Sequence, residues 1–420
     1  MNVSDVINRT IKCSCGAEHR CDIEDLYIGQ GALSHLLDVI KKYNNIMLIS
    51  DKNTDAICGD KVRSIIGDKL SGCCTFQTED TLIPNETSVA EAQSHMPEDA
   101  DFVLGIGSGV INDICKYVSF NHNIKCGIIA TATSMDGYAS SGAAMIFDGM
   151  KVTFTTHAPS VIIGDTDILK NAPMDMIRSG YADIIGKYSS MNDWKLSVAV
   201  NNEAFCPFIC KIVKDSTDEV RNLAKALVNR NPEAIGRLME ILVLVGVCLT
   251  LFKSTRPGSG SEHHLSHYFE ITGLIDDKPY FFHGTDVGYS TIVTAKLREK
   301  ILTVLTPSFK KYDEKFRMEE YKRIYKNRWE EVFKLQKQCE YYQKDLSGVY
   351  IKKWDEIRLI LSECPGADEI TDMLLDVGFK INKFEDMYGM EKIIDGIKWG
   401  KDLKDRYSVL WLYAAIDFKG

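Results

Sequence analysis

Three histidine and aspartate islands, far apart along the chain, hold the residue types best suited to chemistry. They are residues 181–187 around Asp183, residues 259–267 with His263, His264 and His267, and residues 282–286 with His283. Together they offer one carboxylate and two imidazoles, a set that a catalytic divalent metal takes when it keeps a position open for water or substrate. At helical spacing His263 and His267 share a face, while His264 is rotated by about 100°. Three of the nine histidines fall within five residues, which favours metal or acid–base use over a plain core helix. The competing reading of Asp183 is a surface pair with Lys187, four residues on. Its small and apolar neighbours Ala182, Ile184, Ile185 and Gly186 speak against a solvated face. His283 alone would read as a helix cap, and its weight comes from the combination.

A second chemistry lies upstream. The strand-like residues 101–104 run into Gly105-Ile106-Gly107-Ser108-Gly109 and then a helical pattern from Val110. Small residues let the backbone approach phosphate oxygens, and exposed N–H groups at a helix start supply positive potential. The spacing departs from the dinucleotide fingerprint, because its third glycine would fall at Val110. Asp51 closes the apolar run 46–50, where an acidic residue can bond a ribose; it is equally good helix-capping sequence. The stretch Thr131–Ser140 follows the strand-like residues 126–130 and is crowded with hydroxyls plus Asp136. Ligands of open α/β sheets bind beyond the carboxyl ends of strands, where this stretch belongs.

Near the N-terminus, Cys13, Cys15, His19 and Cys21 have the types of a tetrahedral zinc site. Their C-x-C spacing is tighter than the common zinc C-x₂-C and no second half follows, so reduced surface thiols are the alternative.

These residues need elements to position them. The first part alternates strand-like and helix-like segments, which implies a parallel sheet with helices on its faces. Beyond Pro173 long helical patterns dominate: 174–199, 232–252, 285–302 and the charged stretch 319–343. We therefore expect an α/β nucleotide-binding domain over residues 1–170 and an all-α metal and substrate domain over 171–420, divided near 166–172 where Asn171-Ala172-Pro173 opens a helix. The segment 307–420, with no metal-ligand cluster, is expected to be structural. A net charge of −9 argues against nucleic acid or an anionic membrane surface as the main partner. The opening residues lack an apolar leader, and the longest mainly apolar run, Ile241–Phe252, is too short to span a bilayer, so no stable membrane insertion is expected. Thirteen scattered cysteines fit a reducing, cytoplasmic compartment.

In this order the segments resemble the iron-containing alcohol dehydrogenase and dehydroquinate synthase superfamily and, more narrowly, the sn-glycerol-1-phosphate dehydrogenases of the bacterial AraM type. The match is carried by Gly105–Asp113 with Lys116, Thr133–Ser140, Ser259–His267 and His283-Gly284; Cys13–Gly16 and Lys401–Arg406 are also similar. The resemblance implies a Rossmann-like domain and a helical domain, with a divalent metal (Zn²⁺, Ni²⁺ or Fe²⁺) on Asp183, His263 and His283. It places cofactor contacts, to NAD(H) or NADP(H), on Asp51, Gly107, Ser108, Gly109, Thr131 and Ser134. It places contacts to a small phosphorylated substrate on Asp136, Ser140, Asp183 and His267, with His267 and Asp136 as catalytic groups. It also implies a homodimer. Two departures touch fine specificity: Thr285 stands where the superfamily often has glutamate, and Ala130 where it often has proline. A polyol dehydrogenase, a dehydroquinate-synthase-like cyclase, or a metal-bound module without catalysis remain open at this point.

Overall fold

The computed structural model describes residues 1–78, 81–310 and 314–418. The chain divides into two compact units, Met1–Ile184 with Asp218–Thr255 and Ile185–Thr217 with Arg256–Gly420. A single cut near 166–172 does not describe this division, because the long apolar helix Pro232–Phe252 returns to the first unit.

The first unit is built on a six-stranded sheet. In chain order the strands of this unit are β1 (Ile11–Lys12), β2 (Glu18–His19), β3 (Asp25–Gly29), β4 (Ile46–Asp51), β5 (Leu70–Phe76), β6 (Phe102–Gly107), β7 (Lys125–Ala130), β8 (Gly142–Phe147), β9 (Met150–Thr155) and β10 (Val161–Asp165). The main sheet has the order β3-β10-β7-β6-β4-β5, parallel throughout. Its inner strands are near-continuous apolar runs, as expected for strands covered on both faces; Ile46, Met47, Leu48 and Ile49 of β4 are all fully buried. Two antiparallel hairpins, β1-β2 and β8-β9, stand apart from it.

Registry aligns the carboxyl ends. Ser50 pairs with Ile106, and Gly107 with Ala130, so Asp51, the loop 107–109 and the stretch from Thr131 all emerge at one edge. Asp51 caps the helix Lys52–Ile66, its Oδ1 accepting the Asn53 and Thr54 amides at 2.8 and 3.0 Å. The capping reading of Asp51 is thus realised in the structure. The helix Pro232–Phe252 begins with Pro232 behind the Asn231 cap and ends at Lys253, whose φ is +56°. Its 21 residues exceed the twelve-residue run read from the sequence, and by length and composition it could cross a membrane; 78% of its most apolar window is buried in the protein. The sequence estimate was too short because charged Arg237 and Glu240 interrupt the run. Both ion-pair, Arg237 with Glu219 and Glu240, at the helix surface.

The second unit is helical. The pattern expected as one helix over 174–199 is broken at Gly186: Met174–Ile185 closes the first stretch of the first unit and Lys187–Asn201 opens the second unit. The charged stretch is likewise two helices, Glu314–Tyr325 and Trp329–Cys339. The C-terminal segment supplies core: Tyr350, Trp354, Ile357, Tyr407 and Trp411 pack with Leu196 and Ile301. Beneath this lies a buried ion pair, Arg298 to Asp193 at 2.8 Å. Asp193 also accepts the amides of Ser261 at 2.6 Å and Val409 at 2.9 Å. One carboxylate therefore fixes the start of the histidine helix Ser261–Asp276 and the start of the last helix Val409–Ala415.

Candidate active site

The glycine loop is shaped by close packing. None of Gly105, Gly107 and Gly109 has a left-handed φ. A Cβ on Gly105 would meet Cys115 Sγ at 2.8 Å, and one on Gly107 would meet Ile111 side-chain atoms at 2.6 Å. The helix Gly109–Asn121 therefore lies hard against β6, with Ser108 at its N-cap and no side-chain cap bond there. The N–H groups of a helix's first turn have no partner within the helix, and such groups are what a bound anion uses.

The stretch Thr131–Ser140 is anchored from three sides. The Thr131 amide donates to Gly107 O at 3.0 Å. Fully buried Lys116 pairs with Asp113 at 2.7 Å and donates to the carbonyls of Gly137 at 3.3 Å, Ser140 at 3.4 Å and Gly142 at 2.5 Å. Asn112 adds a bond to Gly137 O at 3.3 Å. Burial pushes the Asp113 carboxyl up, against the pull of Lys116. Two helices press on the stretch through glycines: a Cβ on Gly180 would stand 2.0 Å from Thr133 O, and one on Gly246 2.6 Å from Asp136 O. Thr131, Ser134, Asp136 and Ser140 are all buried. The Ser140 hydroxyl accepts the Gly142 amide at 3.0 Å, so it also shapes the turn into β8.

Asp183 is fully buried and its Oδ2 accepts the Asp136 amide at 3.0 Å, linking the hydroxyl-rich stretch to the candidate metal carboxylate. One donor atom each from Asp183, His263 and His283 lies within 4.8 Å of the other two. His263 Nδ1 faces Glu262 Oε1 at 2.8 Å and His283 Nδ1 faces Ser266 Oγ at 3.3 Å. Each ring thus has a partner on Nδ1 and presents Nε2, the arrangement that orients imidazoles for a metal. The donor chemistry fits a divalent ion of the Zn²⁺, Ni²⁺ or Fe²⁺ kind. The His267 ring centroid stands 6.1 Å from that of His263 and 5.6 Å from that of His283, placing an imidazole beside the set and outside it. His264 turns away: its Nδ1 faces Ser408 Oγ at 3.4 Å, and burial holds its pKa well below the usual imidazole range.

Sequence reasoning passed over several of these groups. Glu262 reads as one more polar residue beside histidines, yet it is fully buried and its Oε1 also accepts the Gly260 amide at 2.7 Å. Ser266 and Asn112 carried no recognisable spacing, and Gly180 and Gly246 look like ordinary helix glycines. Lys116 was visible only as part of a resemblance. Arg256, fully buried just before the histidine helix, bonds the Asp193 and Tyr407 carbonyls at 2.9 Å and pairs with Glu203 at 3.0 Å.

Comparison with known proteins follows the same lines. Residues 27–173 match the sequence profile of the family described as iron-containing alcohol dehydrogenase. The chain is 32% identical over 304 residues to the glycerol-1-phosphate dehydrogenase [NAD(P)+] of Halalkalibacterium halodurans, covering 70% of this chain and 76% of that protein. It is 28% identical over 272 residues to the Methanosarcina barkeri protein of the same name, covering 64% and 75%. Among solved structures, an archaeal halo-thermophilic Red Sea brine pool alcohol dehydrogenase aligns with a TM-score of 0.61 at 15% identity, over 94% of this chain and 97% of that one. A probable glycerol dehydrogenase from Sinorhizobium meliloti 1021 aligns with a TM-score of 0.61 at 14% identity, over 94% and 92%. The fold is that of the iron-containing alcohol dehydrogenases. Within that class, the chain belongs to the glycerol-1-phosphate dehydrogenase family.

Proposed function

We propose that this protein is an NAD(P)-dependent, metal-dependent dehydrogenase that reduces dihydroxyacetone phosphate to sn-glycerol 1-phosphate. The observation that carries the reading is the convergence of Asp183, His263 and His283 in a chain whose relatives bear the glycerol-1-phosphate dehydrogenase name. When bound, the metal supplies Lewis acidity toward the C2 oxygen of the ketone.

The protein's own groups do the rest. Gly107, Ser108 and Gly109 would receive the pyrophosphate at the start of the helix Gly109–Asn121. Asp51 at the end of β4 would hold the adenosine ribose, a placement that tilts the enzyme toward NAD(H). Thr131 and Ser134 would line the nicotinamide end. Asp136 and Ser140 would orient substrate hydroxyls. His267, beside the metal set, would pass the proton to the C2 oxygen as hydride leaves nicotinamide C4. Zn²⁺ or Ni²⁺ suits the two-imidazole, one-carboxylate donor set, and Fe²⁺ is compatible with it. A homodimer in a reducing, cytoplasmic compartment completes the reading, and none of the thirteen cysteines forms a disulfide.

The test is NADH oxidation by the metal-reconstituted protein with dihydroxyacetone phosphate set against dihydroxyacetone. Turnover confined to the phosphorylated ketone supports the reading; preference for the free ketone would make this a polyol dehydrogenase.

A further inference from the structure

The N-terminal cysteines meet in a cluster remote in chemistry from the set described above. The hairpin β1-β2 pairs Ile11 with His19 and Lys12 with Glu18. Its turn is tight: Gly16 N donates to Cys13 O at 3.0 Å, Cys13 N donates to Ala17 O at 3.1 Å, and Gly16 adopts φ +87°, a left-handed conformation that favours glycine. This turn brings Cys13, Cys15 and His19 together. Cys15 Sγ lies 3.3 Å from His19 Nε2. On the other side of the same ring, Nδ1 stands 2.8 Å from Leu251 O. A carbonyl only accepts, so Nδ1 carries the proton and Nε2 presents a lone pair toward the thiols. That is how an outer carbonyl fixes a metal-binding histidine.

The fourth member is Cys206, not Cys21. One donor atom each from Cys13, Cys15, His19 and Cys206 lies within 4.8 Å of the others. Cys206 is fully buried and its carbonyl accepts the Cys210 amide at 3.0 Å, which puts it at the cap of the helix Pro207–Arg221. Cys21, the partner expected from sequence, is buried away from water with its thiol pushed up to about 12 by desolvation beside Asp22, and it is outside the cluster. Its proximity in sequence misled, because the fourth donor comes from nearly two hundred residues away.

We propose that Cys13, Cys15, His19 and Cys206 form a structural zinc site. Zinc–sulfur and zinc–nitrogen bonds of about 2.3 and 2.0 Å at tetrahedral angles put the donors roughly 3.5 Å apart, close to the Cys15–His19 separation. Three sulfurs and one imidazole select Zn²⁺ over the hard cations that prefer oxygen. Four protein donors leave no position for water or substrate, so the site is structural. It anchors a two-stranded hairpin too short to be stable by itself. The inference does not depend on the proposed reaction, because it shares no residue with the Asp183 set.

The experiment is X-ray absorption at the zinc edge, with metal analysis, on the full-length His263→Ala protein loaded with Zn²⁺ and desalted. The Asp183 set contains no sulfur, so sulfur scattering reports this cluster alone. One tightly held zinc per chain with about three sulfur neighbours and one nitrogen is the expected result. Cys13→Ser and Cys206→Ser should each lower retained zinc by one equivalent. A zinc shell of nitrogen and oxygen only, or no zinc retained by His263→Ala, would overturn the proposal. Because the absorption measurement leaves all four cysteine-cluster residues intact, it decides the matter even if the cysteine variants misfold.

Discussion

Glu262 Oε1 lies 2.8 Å from His263 Nδ1, and both side chains are buried. Glutamate and histidine are sequence neighbours, but helical geometry ordinarily splays adjacent side chains apart. Here Glu262 folds back over the helix start, where it also takes the Gly260 amide. A Cβ on Gly260 would stand 2.7 Å from Asp193 Oδ2 and 2.9 Å from Glu262 Oε2, so the turn leaves the carboxylate little freedom to move.

Glu262 should therefore act as a positioning residue for the metal ligand. Outer partners of metal-binding histidines typically contribute about 10–100-fold in metal affinity. We expect Glu262→Ala to weaken metal binding by about that factor and Glu262→Gln, which keeps an acceptor, by less. Competition with a chromogenic chelator measures this, and equal affinity in all three proteins would remove Glu262 from the role.

Loss of a ligand should be far more severe. Asp183→Ala and His263→Ala should each abolish stable metal binding at the Asp183 set and lower turnover roughly 10³-fold, equivalent to about 4 kcal/mol of transition-state stabilisation. Metal retained there at full occupancy, with undiminished turnover, would contradict the assignment.

The stretch Thr131–Ser140 depends on the absence of a side chain at Gly180. A methyl group there would sit 2.0 Å from Thr133 O, which is backbone and cannot swing aside. Gly180→Ala should destabilise the protein by about 1–3 kcal/mol, the usual scale of overpacking. It should also raise KM for the nicotinamide cofactor by moving Thr131 and Ser134. Thermal unfolding and steady-state kinetics check both parts; wild-type values for each would show that the contact relaxes elsewhere.

Lys116 anchors the same stretch by charge. Lys116→Met would leave Asp113 without its cation and take one donor from each of the Gly137, Ser140 and Gly142 carbonyls. Removing one partner of a buried pair costs about 3–5 kcal/mol; the Asp113 side chain is 14% exposed, which places the expectation at the lower end. Chemical denaturation measures it, and a loss below about 1 kcal/mol, the scale of a surface pair, would mean water replaces the lysine.

The legible parts of this molecule were those with local signatures. Residues 46–50 and 126–130 read as strands because they are short apolar runs, and Val110–Phe120 read as a helix from its periodicity. Asp183, His263 and His283 stood out by type, and the resemblance joined them into one set. Strands β3 and β5 were missed: Asp25–Gly29 is half-buried at a sheet edge, and β5 mixes small and polar residues, so neither shows clean alternation. The supports of the site were hidden for a different reason. Glu262, Ser266, Asn112 and Gly180 matter through contacts, and no spacing rule marks a glycine that exists to let one backbone touch another. Cys206 shows the same limit, since its partners lie at the other end of the first two hundred residues.

The proposed reaction is a phosphate-specific, metal-dependent ketone reduction. It is tested most directly by following NADH oxidation with dihydroxyacetone phosphate and with dihydroxyacetone, before and after chelation of the metal, with chiral analysis of the product. The expected result is turnover with the phosphorylated ketone alone, its loss on chelation, its return with Zn²⁺ or Ni²⁺, and sn-glycerol 1-phosphate as product. Equal or faster turnover of the free ketone, or activity that survives complete metal removal, would contradict it.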